Sequence, residues 1–223
     1  MNRITVLLAE DHQVVREGFR SLLEHERDIE VVGEAATGRQ AVQLTRKLRP
    51  AVVVMDIAMP LLNGLEATRQ IRKAFPDTKV LILSAHGDDA YVEQVAALGA
   101  AGFLLKQTSC HVLANAIREV QKGNSFYSPP LARRVRSQRS LARGAPSSRK
   151  ANRLSSREVE VLQLIAEGRP NKEVAAELGV SFKTVDKHRQ HLMGKLNIHD
   201  IAGLTRYAIA QGIIESNFRL TIS

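Results

Sequence analysis

The sequence predicts two domains of different class: an α/β domain with a doubly wound, five-stranded parallel sheet, followed by a smaller domain made only of helices. Two observations support this prediction. As far as Lys122, short apolar runs alternate with segments whose apolar residues recur at helical spacing, which is typical of parallel sheets with right-handed crossovers. From Leu154 onwards the helical spacing continues and no strand pattern returns. The first domain is therefore expected at residues 1–122 and the second at residues 154–223.

The strand pattern is clearest at residues 51–56, where successive apolar residues lead into Asp56. Such a run is typical of a strand that is buried on both faces. The other predicted strands are residues 4–9, 29–35, 79–84 and 102–105. Apolar residues at helical spacing predict helices at residues 13–24, 38–47, 65–74, 89–98 and 110–122.

Residues 123–153 differ from both neighbouring segments and are predicted to form a linker. Between residues 128 and 153 there are eight Lys or Arg residues and no Asp or Glu, whereas the flanking segments are nearly neutral. The linker thus carries almost the whole net charge of +9. A basic, Arg- and Ser-rich connector indicates non-specific attraction to nucleic acid, and a solvated linker without that role is the alternative.

The all-helical domain begins with a capping-box pattern, in which Ser155 is followed three residues later by Glu158. Helices are predicted at residues 156–167, 171–178, 182–196 and 200–211. A tight turn at residues 178–181 joins the second of these helices to the third, which is a helix-turn-helix pattern.

Composition limits the functional classes. The longest nearly uncharged apolar run, residues 95–105, is too short to cross a bilayer, and the acidic start of the chain is unlike a signal peptide. The single cysteine, Cys110, excludes an internal disulfide and fits a reducing compartment. We therefore expect a cytoplasmic protein with no membrane partner. The sequence contains neither glycine-rich nucleotide-binding motif.

Polar residues follow four of the predicted strands at the point where each strand ends. In chain order they are Glu10 with Asp11, Asp56, Ser84 and Lys106. If the first and third strands are neighbours, as in the flavodoxin-like strand order, the three carboxylates converge at one edge of the sheet. Three acids at close range repel each other unless a cation lies among them, and oxygen ligands with room for water suit Mg²⁺.

This set of groups suits the transfer of a phosphoryl group. Asp56 would act as the nucleophile and take the group as an aspartyl-phosphate. Mg²⁺ and Lys106 would neutralise charge on the phosphoryl oxygens, and Ser84 would donate a hydrogen bond to one of them in the product. For each residue alone a solvated strand end is the simpler interpretation, but the agreement of the whole set favours a site.

Residues 1–122 resemble the receiver domain of a two-component response regulator. The resemblance rests on Glu10-Asp11, Asp56 with Met59-Pro60 and Gly64, Ser84-Ala85, and Gly102-Phe103 before Lys106. It implies Mg²⁺-dependent phosphorylation of Asp56 by a sensor histidine kinase or a small acyl-phosphate donor, and it leaves autodephosphorylation open.

The same resemblance implies further roles at this site. The backbone carbonyl of Ala58 would be a metal ligand beside the three carboxylates. Ser84 and Phe103 would form the switch, with Phe103 moving inward as Ser84 engages the phosphoryl group. Gln107 departs from the family's pattern, in which a proline, often in cis linkage, follows the lysine, and whether the Lys106–Gln107 bond is cis stays open.

Residues 154–215 resemble the LuxR/FixJ-type helix-turn-helix domain, and the whole chain resembles the NarL/FixJ class of response regulators. The resemblance rests on Leu154-Ser155, Arg157-Glu158, Val161-Leu162, Gly168, residues 171–175, Leu178, Ser181, Thr184-Val185, His188 and Lys195-Leu196. Pro170 stands where the family usually has a Ser or Thr as helix N-cap.

The second resemblance makes residues 182–196 the recognition helix. The residues expected to contact phosphates and the DNA backbone are Lys183, Thr184, His188 and Arg189. The residues expected to face base edges in the major groove are Asp186, Lys187 and Gln190.

The leading prediction is a transcriptional regulator that is switched by phosphorylation and is not an enzyme. The expected partners are a cognate sensor histidine kinase, double-stranded promoter DNA, a second copy of the chain on DNA, and RNA polymerase. The second copy would pack against Ile201, Leu204 and Ala208, which could equally belong to the domain's own core. The alternatives are a phosphatase with an aspartyl-phosphate intermediate, and a DNA-binding protein whose receiver does not switch.

Overall fold

The structure is a computed structural model that describes residues 3–85, 95–127 and 154–214. Residues 128–153 of the predicted linker and most of the predicted helix at residues 89–98 lie outside these ranges. The chain divides into two compact units, residues 1–146 and 147–223.

The first unit is built on a parallel sheet with the strand order β2-β1-β3-β4-β5-β6. The strands are β1 (Ile4–Ala9), β2 (Ile29–Ala35), β3 (Val52–Asp56), β4 (Lys79–Ser84), β5 (Gly102–Leu105) and β6 (Phe126–Tyr127). All five predicted strands are present, four of them with their predicted bounds, and β3 begins one residue after the start of the predicted apolar run. The first and third strands are neighbours, so the predicted doubly wound α/β class is confirmed.

Helices cover both faces of this sheet. They are α1 (Gln13–Glu24), α2 (Gly38–Leu48), α3 (Gly64–Ala74) and α4 (Cys110–Gln121), and residues 95–98 are helical too. On one face Leu23 of α1 and Ile117 of α4 are buried in a common core. On the other face Ala41 of α2 and Ile71 of α3 are buried in a second core. Because both faces are covered, every residue of β3 is buried.

The strand β6 was not predicted, because two residues carry no periodicity that sequence analysis can detect. The amide of Phe126 donates to the carbonyl of Ala101 over 3.0 Å, and the Tyr127 hydroxyl donates to the carbonyl of Ala100 over 3.0 Å. A Cβ at Gly102 would lie 2.4 Å from the carbonyl oxygen of Phe126, so β6 can approach β5 only because that residue is glycine.

The second unit consists of helices in its described part. They are α5 (Ser156–Ala166), α6 (Asn171–Leu178), α7 (Phe182–Leu196) and α8 (Ile201–Ala210). The predicted capping box at Ser155 and Glu158 is confirmed. Pro170 provides no side-chain cap at the start of α6, as its chemistry requires. Val185 and Leu192 of α7 are fully buried, so one face of this helix forms core and the opposite face is left outward.

None of the helices in the described ranges has both the length and the apolar character that a membrane span requires.

Candidate functional site

The strand order brings the predicted acidic residues together at the carboxyl ends of the strands. Ala9 at the end of β1 lies opposite Met55 in β3, so Glu10 and Asp56 follow neighbouring positions in the sheet. The ammonium of Lys106, which follows β5, lies 3.0 Å from Asp56 Oδ2 and 2.8 Å from Glu10 Oε2. One cation thus joins two carboxylates in a pocket, which we call the acidic pocket and define by Glu10, Asp11, Asp56 and Lys106.

Asp56 is buried, with 2% of its surface exposed. The amide of Ile57 donates to Oδ1 over 2.8 Å. Burial, and secondly the negative charge of Glu10, raise the pKa of Asp56 to about 7, although Lys106 acts in the opposite direction. A carboxyl group with this pKa is partly protonated at neutral pH, so whatever cation enters the pocket also controls its ionisation.

Lys106 is mostly buried as well, with 17% of its side chain exposed. Burial disfavours its charged form, but the charge of Asp56 and the hydrogen bond to Glu10 outweigh burial and raise the pKa of Lys106. Its Nζ donates to Glu10 Oε1 over 2.9 Å. Lys106 is therefore an ammonium at neutral pH, and the pocket contains one fixed positive charge.

A tight loop between β3 and α3 packs against the backbone of Asp56 at the end of the strand. The amide of Gly64 donates to the carbonyl of Ile57 over 2.8 Å, which folds the chain back on the end of the strand. A Cβ at Gly64 would lie 1.8 Å from the backbone oxygen of Asp56, so only glycine fits. Ala58, the predicted carbonyl ligand, lies in this loop and is half-buried.

The donor set of the acidic pocket fits a hard cation. Among the described residues, three buried carboxylate oxygens of the pocket accept no hydrogen bond: Glu10 Oε2, Asp11 Oδ1 and Asp56 Oδ2. Lys106 lies close to two of them without satisfying either with hydrogen-bond geometry. Carboxylate oxygens in a partly hydrated pocket are the ligands that Mg²⁺ prefers. Glu10 and Asp11 also place ligand atoms within 4.8 Å of His12, which the sequence did not suggest as a ligand.

The two predicted switch residues lie on the neighbouring strands β4 and β5. Ser84 is buried at the end of β4, and its carbonyl accepts the amide of Lys106 over 2.8 Å. Phe103 of β5 is paired with Ile82 and is fully buried in the core formed with α2 and α3. The peptide bond between Lys106 and Gln107 is trans.

The second candidate site is the outward face of α7. Lys183, Lys187 and Gln190 are exposed, whereas Thr184, His188 and the remaining predicted contacts are half-buried. The Gln190 amide donates to Asp186 Oδ2 over 3.1 Å. Two residues predicted to contact bases are therefore hydrogen-bonded to each other in this structure. This bond engages one oxygen of the Asp186 carboxylate, the group that would repel an approaching phosphate.

Two contacts fix α7 in the second unit. Arg189, predicted to contact the DNA backbone, donates to Asn171 Oδ1 of α6 over 3.0 Å. Lys195 Nζ lies 2.7 Å from Glu158 Oε2, the carboxylate of the capping box. The guanidinium of Arg189 thus holds α6 and α7 together, and its role at DNA stays a prediction.

The residues expected at a dimer contact in α8 divide into two groups. Leu204 and Ala208 are fully buried in the unit's own core. Ile201 is 52% exposed, and Ile209 is exposed on the same side, two turns further along the helix. Ile201 and Ile209 are therefore the large apolar side chains that α8 exposes to solvent.

Sequence analysis also missed the contact that Arg16 makes with the acidic pocket. The Arg16 guanidinium donates to the backbone carbonyl of Glu10 over 2.6 Å and to Glu34 Oε2 over 3.1 Å. The only signal in the sequence is that Arg16 lies one helical turn beyond His12. Its second partner, Glu34, lies in β2. A contact between residues so far apart in the sequence has no recognisable sequence pattern.

Comparison with known proteins gives matches over both units. The family model described as "Response regulator receiver domain" matches residues 6–118, and the one described as "Bacterial regulatory proteins, luxR family" matches residues 152–208. The chain is 39% identical to the oxygen regulatory protein NreC of Staphylococcus carnosus, over 94% of this chain and 99% of that protein. It is 38% identical to the transcriptional regulatory protein LiaR of Bacillus subtilis, over 92% of this chain and 96% of that protein.

Two solved structures of RcsB are similar to this chain. The RcsB response regulator of Salmonella typhimurium matches with a TM-score of 0.61 at 29% identity, over 95% of this chain and 99% of that chain. RcsB of Salmonella enterica serovar Typhimurium, bound to the promoter rprA in the presence of the phosphomimetic BeF₃⁻, matches with a TM-score of 0.58 at 29% identity. That match covers 92% of this chain and 98% of the RcsB chain.

Proposed function

The chain belongs to the NarL/FixJ class of two-component response regulators, and from this premise we propose that phosphorylation of Asp56 switches its binding to promoter DNA. The observation that supports the proposal most strongly is the position of Lys106, whose ammonium lies between Asp56 and Glu10 at the carboxyl ends of the strands. A buried nucleophile beside a fixed cation is suited to accept a phosphoryl group.

In the reaction, one carboxylate oxygen of Asp56 forms a bond to phosphorus. The bond from phosphorus to the donor breaks, and the donor leaves with its electron pair as a carboxylate or, from a histidine kinase, as an imidazole that takes up a proton. Lys106 then exchanges its contact with Asp56 for the new phosphoryl oxygens, to which Ser84 donates a hydrogen bond.

The acidic pocket supplies ligands for the metal that this reaction requires. Glu10, Asp11, Asp56 and the carbonyl of Ala58 would hold Mg²⁺, which neutralises charge on the phosphoryl oxygens when it is bound. Glu10 and Asp11 keep the pocket negative and so attract a divalent cation before the phosphodonor arrives. A bound cation also favours the ionised, nucleophilic form of Asp56.

The response would pass from the pocket to the DNA-binding unit. Phe103 lies in β5, the strand that precedes Lys106, and is paired with Tyr127 of β6, which occupies the first part of the predicted linker at residues 123–153. A change at Ser84 and Phe103 is therefore transmitted to the residues where the linker begins. Because the related RcsB is bound to a promoter in the presence of a phosphomimetic, we expect phosphorylation to strengthen DNA binding here.

On DNA, α7 would lie in the major groove with Lys183 and Thr184 at phosphates and Lys187 at a base edge. A second copy would pack through the exposed Ile201 and Ile209 of α8, which gives a two-fold dimer that reads an inverted repeat. A sensor histidine kinase would be the donor in the cell.

The assignment of the phosphoryl acceptor is tested by intact-protein mass spectrometry after incubation with a small acyl phosphate. We expect one phosphoryl group on the wild-type chain in the presence of Mg²⁺, none without Mg²⁺ and none on Asp56→Asn. The matched control is Asp77→Asn, which changes an exposed acid in the turn before β4 and should label like the wild type. Full labelling of Asp56→Asn would overturn the assignment.

A further inference from the structure

The side chain of Arg16 bonds to the backbone of the acidic pair. Arg16 lies in the first turn of α1, and only 15% of its side chain is exposed. Its Nη1 donates to the carbonyl oxygen of Glu10 over 2.6 Å, and its Nε donates to Glu34 Oε2 over 3.1 Å. The planar guanidinium can span a carbonyl and a carboxylate at once, which the single ammonium of a lysine does less well.

The contact with Glu10 fixes the peptide group that links the two acidic residues. The amide of Glu10 donates to the carbonyl of Ala35 in β2 over 2.9 Å, and its carbonyl accepts from Arg16. Glu10 is thus held on both sides along the backbone. Because the carbonyl of Glu10 and the amide of Asp11 share one rigid peptide plane, the bond from Arg16 also sets the direction in which Asp11 leaves that plane.

The segment between β1 and α1 has no capping side chain at the start of the helix. His12 is the N-cap residue of α1, and its side chain makes no capping hydrogen bond. Its amide and its ring Nδ1 each lie 3.2 Å from Glu10 Oε1, and the same Nδ1 lies 2.9 Å from Asp11 Oδ1. Arg16, one turn further along the helix, therefore ties this loop to α1 by donating to a backbone carbonyl, whereas a capping side chain would accept from a helix amide.

The charge of Arg16 is offset by Glu34. Glu34 is bound by Arg20 as well as by Arg16, and these hydrogen bonds keep its pKa below the usual value in spite of partial burial. Arg16 and Glu34, together with Arg20 and its second partner Glu24, form a cluster of two cations and two carboxylates beside the pocket. The effect of Arg16 on a cation in the pocket then comes from geometry, since a bare positive charge at this distance would weaken cation binding.

We propose that Arg16, held by Glu34, is a positioning residue that orients the Glu10–Asp11 peptide and thereby sets the affinity of the acidic pocket for Mg²⁺. The inference rests on the proposed function in one respect, that the pocket binds Mg²⁺. It adds a residue outside the expected ligand set that acts through a backbone carbonyl. A supporting group of this kind typically changes metal affinity by roughly tenfold or more when it is removed.

The test is a calorimetric titration of the full-length chain with Mg²⁺ in the absence of any phosphodonor. We expect Arg16→Gln to weaken Mg²⁺ binding by about tenfold. Arg20→Gln is the matched control, because it removes the same charge and the same partner, Glu34, without touching Glu10. It should bind Mg²⁺ within about twofold of the wild type. Arg16→Lys keeps the charge but cannot make both bonds, so it should resemble Arg16→Gln.

A second readout separates positioning from a purely structural role. With a small acyl phosphate as donor, the Mg²⁺ concentration that gives half-maximal phosphorylation should rise in Arg16→Gln, while the rate at saturating Mg²⁺ changes little. If Arg16→Gln does not fold, Arg16→Lys provides the test, because it keeps the positive charge beside the pocket and gives up one of the two bonds. We expect it to weaken Mg²⁺ binding in the same direction.

Three results would overturn the inference. Equal Mg²⁺ affinity of Arg16→Gln and Arg20→Gln would show that Arg16 does not position the pair. Tighter binding by Arg16→Gln would show that its charge, not its geometry, is what the pocket senses. A wild-type chain that binds no Mg²⁺ would overturn the proposed function and this inference together. The first two results would overturn the role of Arg16 alone.

Discussion

The ammonium of Lys106 lies 3.0 Å from Oδ2 of Asp56, so the residue expected to stabilise the phosphoryl group is already paired with the residue expected to accept it. The same ammonium lies 2.8 Å from Glu10 Oε2. With two carboxylates around one cation, the pocket has an excess of negative charge, and Asp11 adds to it. The contact with Lys106 holds Asp56 in place, but one ammonium does not balance three carboxylates. A divalent cation would neutralise the remaining negative charge.

The raised pKa of Asp56 predicts a specific dependence of stability on pH in metal-free buffer. A buried carboxyl whose pKa is about 7 when folded, against an ordinary value of 3.8, binds more protons in the folded chain than in the unfolded chain between these two values. The free energy of unfolding contributed by Asp56 therefore falls as pH rises from about 4 to about 7, and is constant above that. Asp56→Asn should remove this loss and be more stable than the wild type at pH 8, by about 2–4 kcal/mol.

Urea unfolding at pH 5 and pH 8 measures this difference, and Asp77→Asn is the control because that side chain is exposed. A stability gain for Asp56→Asn that is no larger at pH 8 than at pH 5 would contradict the assignment of the raised pKa.

Replacing Lys106 with methionine should destabilise the chain through Glu10 and Asp56. Both carboxylates would lose their shared cation while staying buried, which costs roughly 2–4 kcal/mol at pH 8. Millimolar Mg²⁺ should restore much of the loss, because it places a new cation between the same oxygens. Thermal unfolding with and without Mg²⁺ measures both effects. The control is Lys122→Met, which breaks an exposed pair with Glu119 and should change stability by less than about 0.5 kcal/mol. No rescue by Mg²⁺ would be evidence against a metal site in this pocket.

The glycine in the loop after Asp56 provides a test of the site's architecture. A Cβ at Gly64 would lie 1.8 Å from the backbone oxygen of Asp56, so Gly64→Ala must displace the loop and should cost about 2 kcal/mol or more. Gly18→Ala in α1 is the matched control, because nothing lies within 4 Å of the position that its Cβ would take and alanine favours helix. It should stabilise the chain by about 0.5–1 kcal/mol. Chemical denaturation of both variants distinguishes these outcomes, and equal effects would mean that the loop is not as tight as described.

The sequence was a good guide to the parts of the site that lie on long strands. Asp56 and the acidic pair could be located because a buried strand leaves a clear apolar run, and because parallel strands end at the same edge of the sheet. The capping box at Ser155 was equally clear, since its two residues have fixed spacing and chemistry.

The remaining features depend on tertiary contacts that have no local signature. Arg16 reaches Glu10 because Glu34, from β2, holds the other end of its guanidinium. Leu204 and Ile201 have the same apolar character and helical spacing, yet one is buried and the other exposed. The packing of the neighbouring helices decides which side of α8 faces the core. The spacing of apolar residues within α8 alone does not predict that side.

The outward face of α7 predicts different effects for two of its lysines on DNA binding. Lys187→Ala should relax the preference at one base step by about 1–3 kcal/mol. Lys183→Ala should weaken binding to all sequences alike and reduce the slope of log affinity against log salt by about 0.9. Binding to a selected fragment and to single-base variants, at several salt concentrations, measures both. If the two variants gave the same profile, α7 would not be placed in the groove as proposed.

The proposed switch is tested best by the affinity of the full-length chain for a selected DNA fragment, measured with and without a small acyl phosphate in the presence of Mg²⁺. The fragment would be chosen from a random pool by binding to the wild-type chain. We expect the donor to raise the affinity of the wild type and to leave Asp56→Asn at the level of the untreated chain. An unchanged affinity of the wild type, or an equal rise in Asp56→Asn, would contradict the claim that phosphorylation of Asp56 controls DNA binding.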